Sequence, residues 1–487
     1  MNEEVRALVP KELWNHFADL NAVPRPSKKE ERVIEFIYNF GVKLGLETIK
    51  DEIGNVIIKK AATKGMENHT PVVLQSHLDM VHQKNATTKF DFDTQGIEMR
   101  VDGDWVKANG TTLGADNGIG VASIMTILAS SSIEHPSIEA LFTIDEETGM
   151  TGALGLKGGM LHGKILLNLD TEEDNELTIG CAGGVDVTAT GSYKYEGCPK
   201  GSKALKICLR GLTGGHSGMD IHKGRANANK LMNRILMLAH EQFGLRVCTI
   251  DGGSLRNAIP RESFAEVIIA EDQTTIVSSF IEQQDLIIKS EYQTTDPFLS
   301  LTYEVIDLPE KVISLDFQNK ILRSIYSCQN GIYRMSPDIP GLVQTSNNLA
   351  KVLIKEGNYS IQCLTRSSVD SEKMDLAQSI KSSFELSGAK VVFAGAYPGW
   401  TPNPSASIVK IMEDLYKVKF KEDPSVNACH AGLECGILGA NYHDMEMISF
   451  GPNIHGAHSP DEKVQISSVN KYWGFLLDTL KAIPTLN

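Results

Sequence analysis

The sequence predicts an α/β protein. A catalytic-type domain with a mostly parallel central sheet, flanked by helices, is expected from both ends of the chain, with an α+β domain inserted between them. Three observations carry this reading. Apolar strand-like runs alternate with amphipathic helical stretches up to about residue 183. The character then changes over residues 184–396, and the α/β alternation returns after "YPGWTPNP". Residues 1–183 and 397–487 are therefore read as one domain and 184–396 as the insertion.

The elements follow in order. "KELWNHFADL" places Leu13, Trp14, Phe17 and Leu20 at helical spacing, and "KKEERVIEFIYNFGVKL" repeats the pattern around Val33, Phe36, Ile37 and Phe40. "NVIIKK" and "PVVLQSHLDM" read as strands, "GIGVASIMTILASS" as a helix, "IEALFTID" and "KILLNLD" as strands. Within the insertion, "KALKICLRGL", "ESFAEVIIA" and "LSLTYEVIDL" read as strands, separated by the helices "GRANANKLMNRILMLAHEQF" and "TTIVSSFIEQQDLIIKS". A similar order follows through "DFQNKILRSIYSCQ", "NNLAKVLIKE", "YSIQCLTRSS", "EKMDLAQSIKSSF" and "AKVVFAGA". The insertion thus reads as two α+β halves in sequence, of about double the length of a single one, repeated in architecture and not in residues. "SIVKIMEDLYKV" and "DMEMISF" restore the α/β character.

Composition excludes several function classes. Over 487 residues, 47 basic side chains face 61 acidic ones for a net charge of -14, with no basic cluster, which argues against a nucleic-acid partner. No apolar run approaches membrane-spanning length. The start, "MNEEVRALVPKELWNHF", lacks the apolar segment of a secretory signal. Eight scattered cysteines form no CxxC pair and read as reduced thiols of a cytoplasmic protein. Cys181 in "IGCAGG" has no evident base, so a cysteine hydrolase is disfavoured, and "LGADNGIG" is not a GxGxxG phosphate loop.

The polar residues that follow the apolar strands carry the chemistry. "VVLQSHLDM" ends with His77 and Asp79, and "TTLGADNGIG" puts Asp116 before a helix. "FTIDEETGMTGA" supplies the adjacent acids Glu146 and Glu147, "KILLNLD" ends at Asp170, and "GPNIHGAHSPDE" gives His455 and His458. Open α/β sheets bind ligands beyond the carboxyl ends of their strands. So many carboxylates at one edge repel one another unless a cation joins them, and imidazole with carboxylate suits zinc, cobalt or manganese. Taken alone, His77 reads as a satisfied core histidine, and Asp116 and Asp170 as helix caps. Together, each following a strand or opening a helix, they point to a metal site. Gly114, Gly118 and Gly120 around Asp116 allow tight turns and close backbone approach.

"SHLDMV", "GADNGIG", "DEETGMTGA", "NLDTEE" and "HGAHSPDE" resemble the metal-site motifs of the M20 family of metallopeptidases, in particular its aminoacyl-histidine dipeptidase branch. The resemblance runs over nearly the whole chain, with the five motifs in order and room for an inserted lid. It implies two divalent metal ions, zinc or else cobalt or manganese. His77, Asp116 and Asp170 would hold one, and Asp116, Glu147 and His458 the other, with Asp116 shared. Asp79 would orient the His77 imidazole. Glu146 would be the general base, taking a proton from the water shared by the metals to give the attacking hydroxide.

The resemblance extends to the lid. His216 in "GLTGGHSGMDI" would support the oxyanion, and Asn257 in "SLRNAIPRE" and Arg366 in "CLTRSSVD" would bind a terminal carboxylate. Without the family, "GGHSG" reads as a glycine-rich turn and Arg366 as a surface ion pair. In "NACHAGLECG", His430 and Glu434 stand four apart and share a face if helical; Glu434 would meet a free amino group.

The implied activity is hydrolysis of dipeptides with free termini, of Xaa-His type and broad specificity, in the cytoplasm. A small peptide is the expected partner, with no nucleic acid and no membrane. A homodimer, and with it the action of His216 across an interface, stays open. The alternatives are a related tripeptidase, carboxypeptidase or N-acyl amino acid deacylase. A non-catalytic binding module of the same fold ranks below these, because no expected ligand and no expected base is missing.

Overall fold

The structure, a computed structural model, describes residues 2–486. The chain divides into two compact units. One runs to Gly180 and resumes over Trp400–Ala428 and from Leu433 onward; the other comprises Cys181–Gly399 and Cys429–Gly432.

The first unit is built on an eight-stranded sheet. In chain order its strands are β1 (Glu47–Lys50), β2 (Val56–Lys60), β3 (Val72–His77), β4 (Ile138–Thr143), β5 (Ile165–Asn168), β6 (Glu176–Cys181), β7 (Ser425–Cys429) and β8 (Glu446–Ser449). Their order across the sheet is β1-β2-β4-β3-β5-β8-β6-β7. The four central strands, β4, β3, β5 and β8, are parallel, and antiparallel pairs flank them. β3, β4 and β5 are buried at every position. Continuous apolar runs in place of alternation are the mark of parallel strands covered on both faces.

The covering helices follow from the sequence spacing. Lys11–Asn21 buries Leu13, Trp14, Phe17 and Leu20 and packs against Ala115–Ala129, which is buried nearly all round. Glu31–Lys43 buries Val33 and Ile37 and leaves Phe36 and Phe40 half-buried. A separate four-stranded sheet orders Ile454–His455, Lys463–Gln465, Trp105–Ala108 and Met99–Asp102. Its first two strands form a hairpin whose loop carries His458.

The second unit holds a nine-stranded antiparallel sheet. The two halves read from the sequence are joined: Arg246–Gly252 of the first pairs with Val343–Lys355 of the second, with Ile250 opposite Ile354. One apolar core runs through both halves, from Val185 to Ala389, and includes Leu205, Ile235, Phe280, Ile321, Leu349 and Ile380. The helix expected from Gly224 begins at Ala228, because the Asn227 side chain accepts hydrogen bonds from the amides of Asn229 and Lys230. Among the described residues no helix is long and apolar enough to cross a membrane.

A single core has a measurable consequence. Ile235 is fully buried in it, so Ile235→Ala should cost about 2–5 kcal/mol. In denaturant, amides of residues 202–252 and 343–385 should lose hydrogen-exchange protection together. Loss in two separate steps would mean the halves are independent.

Candidate metal centre

The four central parallel strands deliver the candidate residues at their carboxyl ends. His77 is the last residue of β3, and the acids 145–147 follow β4. Asp170 lies two residues beyond β5, and the His458 hairpin follows β8. Asp116 stands in the first turn of Ala115–Ala129, where its backbone and that of Asn117 depart from helical geometry.

These side chains converge. His77 Nε2 lies 3.2 Å from Asp116 Oδ1 and 3.5 Å from Asp170 Oδ1. His458 Nε2 lies 3.3 Å from Asp116 Oδ2 and 2.8 Å from Glu147 Oε2. Asp116 thus turns one oxygen to each imidazole. His77, Asp116 and Asp170 offer ligand atoms within 4.8 Å of one another, and so do Asp116, Glu147 and His458. Asn117 donates its side-chain amide to Asp170 Oδ1. Glu147 Oε1 is buried without a hydrogen-bond partner, which is what a ligand oxygen awaiting a cation requires. The donor set, nitrogen plus carboxylate oxygen, fits a borderline or hard divalent cation at each group.

Asp79 is fully buried and does two jobs. Its Oδ1 lies 3.3 Å from His77 Nδ1, so it fixes the ring with Nε2 toward Asp116. It also accepts the backbone N–H of Glu146 at 3.0 Å and of Glu147 at 3.3 Å, and Ser27 Oγ donates to it at 2.8 Å. Asp145 is buried, has a φ of 53°, and accepts hydrogen bonds from the hydroxyls of Thr148 and Thr151. Glu30, Asp79 and Asp145 form a third acidic group. Internal donors satisfy them, including the Lys28 amide on Glu30 at 2.7 Å, so this group is a scaffold for the turn.

Electrostatics separates the acids. Burial pushes Glu146 well above the usual carboxylate range; Asp170, Glu434 and Glu147 add to this, and His77 opposes it. Burial also raises Glu147 and Asp170. Asp116 goes the other way: burial works against its charge, but the His458 and His77 hydrogen bonds hold it well below the usual range. Hydrogen bonds to Asp116 and Glu147 raise His458 to about 11. Burial opposes a similar rise at His77, which the charge of Asp170 and hydrogen bonds to Asp116, Asp170 and Asp79 outweigh. His455 stands apart, tilted against Trp105 at 5.0 Å and 3.7 Å from Glu173.

Glu434 corrects one expectation. The strand ends at Cys429 and the helix begins only at Glu434, with Leu433 extended, so His430 and Glu434 share no helical face. They belong to different compact units. The Glu434 carboxylate is fully buried between β3 and β4, where Gln75 Nε2 donates to Oε2 at 2.6 Å and Thr143 Oγ1 at 2.7 Å. Its Oε1 is buried and unpartnered, and burial lifts its pKa to about 7. His430 instead meets Ser346 Oγ at 2.7 Å within the second unit.

Three residues expected in substrate binding lie in the second unit. His216 Nδ1 accepts the amides of Gly218 at 3.2 Å and Met219 at 3.0 Å, which leaves Nε2 as the protonated nitrogen. Burial, then Arg366, lowers its pKa, so the ring is a neutral donor. It pairs across a two-residue ladder with Ala258, next to exposed Asn257, whose carbonyl accepts the Ser217 amide at 2.8 Å. Arg366 is buried and donates to Tyr397 Oη at 2.8 Å and to Ser217 Oγ at 3.4 Å. Among the described residues no carboxylate lies within 4 Å of its guanidinium. A buried Arg without a counter-ion is suited to receive one.

The sequence pattern of Peptidase family M20/M25/M40 matches residues 73–482. The chain belongs to this family. It is 42% identical over 481 residues, 99% of both chains, to the cytosol non-specific dipeptidase of Escherichia coli (strain K12). It superposes with a TM-score of 0.94 on the crystal structure of aminoacylhistidine dipeptidase from Vibrio alginolyticus, at 42% identity and covering 100% of this chain and 99% of that one. Aminopeptidase PepT from Bacillus cereus ATCC 10987 shares the fold at 15% identity and a TM-score of 0.57, over 98% of this chain and 99% of that one. Ser27, Asn117, Gln75 and Asp145 support the site by hydrogen bonds, and spacing alone did not single them out. Asn117 and Asp145 lie inside the quoted motifs, whereas Ser27 and Gln75 carry no sequence signal.

The raised imidazoles generate a prediction. Both imidazoles are raised, His458 to about 11, so both favour the protonated form in the metal-free protein, whereas a cation binds only the neutral form. Metal uptake should therefore release about two protons and tighten as pH rises. Titration calorimetry in buffers of different ionisation heat measures the number, and no release would place the cations elsewhere.

Proposed function

We propose that the protein is a metal-dependent dipeptidase. It hydrolyses dipeptides with free termini, Xaa-His among them, and works in the cytoplasm. The first compact unit is the catalytic domain and the second a lid that supplies substrate contacts. The observation that carries this is the pair of ligand groups sharing Asp116, with Glu146 beside them and not consumed as a ligand. The names of the two 42%-identical relatives support the substrate class.

His77, Asp116 and Asp170 would hold one divalent ion and Asp116, Glu147 and His458 the other, zinc or else cobalt or manganese. Bound there, the two ions would supply Lewis acidity, polarising a peptide carbonyl and bringing the pKa of water to about 7. Glu146, raised by burial, is poised to take a proton from the attacking water and pass it to the leaving amine. The neutral His216 donates Nε2–H toward the oxyanion. Arg366 and Asn257 bind the terminal carboxylate. Glu434, with one oxygen unpartnered, receives the ammonium group. Recognition of both termini would suit a substrate of fixed short length.

The test is a panel of dipeptides, tripeptides and N-acyl amino acids on metal-reconstituted protein, with and without chelator. Dipeptides should be hydrolysed and the chelator should abolish it. Faster cleavage of tripeptides or acyl amino acids would replace the reading by its relatives.

Glu146→Gln should bind two metals and substrate nearly normally yet lose about 10²–10⁴-fold in kcat. Glu147→Gln should weaken one metal site and regain part of its activity with added metal. If Glu146→Gln is the variant rescued by metal while Glu147→Gln stays loaded and dead, the two roles are swapped.

Arg366→Ala should lower kcat/KM for free dipeptides by about 2–5 kcal/mol of binding energy if the pair is desolvated. Amidated dipeptides should be poor substrates already and lose little more. Equal losses would remove Arg366 from the carboxylate site.

A further inference from the structure

Glu462 is buried at 3% exposure and receives four consecutive backbone N–H groups. Leu113 and Gly114 donate to Oε2 at 2.7 and 3.0 Å, and Ala115 and Asp116 to Oε1 at 2.8 and 3.3 Å. Successive amides converging in this way form an anion-binding nest, here filled by the protein's own side chain. Glu462 stands four residues after His458, so it fastens the His458 hairpin to the backbone that carries Asp116.

Arg25, exposed by 1%, fastens the same turn from its carbonyl side. Its Nη2 donates to Gly114 O at 2.5 Å and to Asn21 Oδ1 at 3.0 Å, and its Nη1 to Leu78 O and Asp79 O at 3.1 Å each. Leu78 and Asp79 directly follow His77. Gly114 has a φ of 71°, and a Cβ there would fall 2.5 Å from Arg25 Nη2, so both the turn and the guanidinium require glycine. No carboxylate among the described residues reaches Arg25 within 4 Å. The rigid fork serves carbonyls, which a lysine could not match.

We propose that Glu462 and Arg25 are positioning residues that lock the three turns bearing His77, Asp116 and His458 by their backbones. Neither supplies an atom to the ligand groups. Together they fix where Asp116 can point, and so hold both metal positions ready before any cation arrives. A contact made only for packing would not need four amides on one carboxylate. This inference rests on the two-metal reading above.

The test compares wild type with Glu462→Gln and Arg25→Lys. Glu462→Gln keeps the shape but turns an NH₂ toward two of the four amides. Wild type titrated with zinc or manganese should bind two ions. Each folded variant should bind both ions about 10- to 100-fold more weakly, because Asp116 is shared. A folded variant with wild-type affinity at both sites overturns the proposal. Wild type failing to bind two ions sinks the two-metal reading and leaves the clamp to a second measurement that needs no metal and no variant. In the metal-free wild type, amides of residues 113–116 should exchange with solvent as slowly as those of β3. Exchange at the rate of an open loop overturns the clamp.

Discussion

Like charge crowded at one sheet edge is the constraint on which the site depends. Asp116, Glu146, Glu147, Asp170, Glu172, Glu434 and Glu462 all lie at the carboxyl ends of the central strands or beside them. Burial pushes Glu172 to about 8 and Glu462 to about 7, and raises Glu146, Glu147, Asp170 and Glu434 as well. Asp116 is held down by the two imidazoles that face its two oxygens. In the metal-free protein the two imidazoles, both raised toward their charged form, offset part of the negative charge that two divalent cations would neutralise. The shared carboxylate is central in both states, which is why it stands between the two groups and not in either alone.

A carboxylate in that role must be placed by something other than its ligands. The fold does this through the backbone. Parallel strands end at one edge, so the His77 and Asp170 positions are set by the register of β3 with β5, where Val72 pairs with Ile165 and Gln75 with Asn168. Asp79 then ties the turn after β4 to the end of β3 by accepting two amides. Buried polar groups are costly unless they are satisfied, and here satisfaction and positioning are the same bonds.

Much of this architecture is legible in the sequence, for physical reasons. Strands such as "KILLNLD" announce themselves by their apolar runs, and the candidate residues stand at or just beyond the strand ends, where polarity returns. Helices such as Lys11–Asn21 show their buried stripe at Leu13, Trp14, Phe17 and Leu20. The joining of the two halves of the second unit is not legible, because the Ile250 to Ile354 pairing links strands far apart in sequence and leaves no local pattern. Arg25 is hidden for a related reason: a lone arginine in "VPRPS" gives no hint that its partners are carbonyls of two distant turns. The spacing of His430 and Glu434 misled, since a four-residue interval means a common face only where the backbone between is helical.

The run "DEETG" shows what separates neighbouring acids of the same chemistry. Asp145 turns the chain with a positive φ and is satisfied by Thr148 and Thr151, so its charge serves the turn. With that turn fixed and both following amides held by Asp79, Glu146 and Glu147 leave the backbone in different directions. Glu147 ends against His458, whereas Glu146 ends among other acids with only His77 to offset them. The contact with His458 suits Glu147 to the proposed ligand role, and burial among like charges suits Glu146 to the proposed role of base. The difference between the two lies in the turn that Asp145 and Asp79 build, not in the side chains, which are identical.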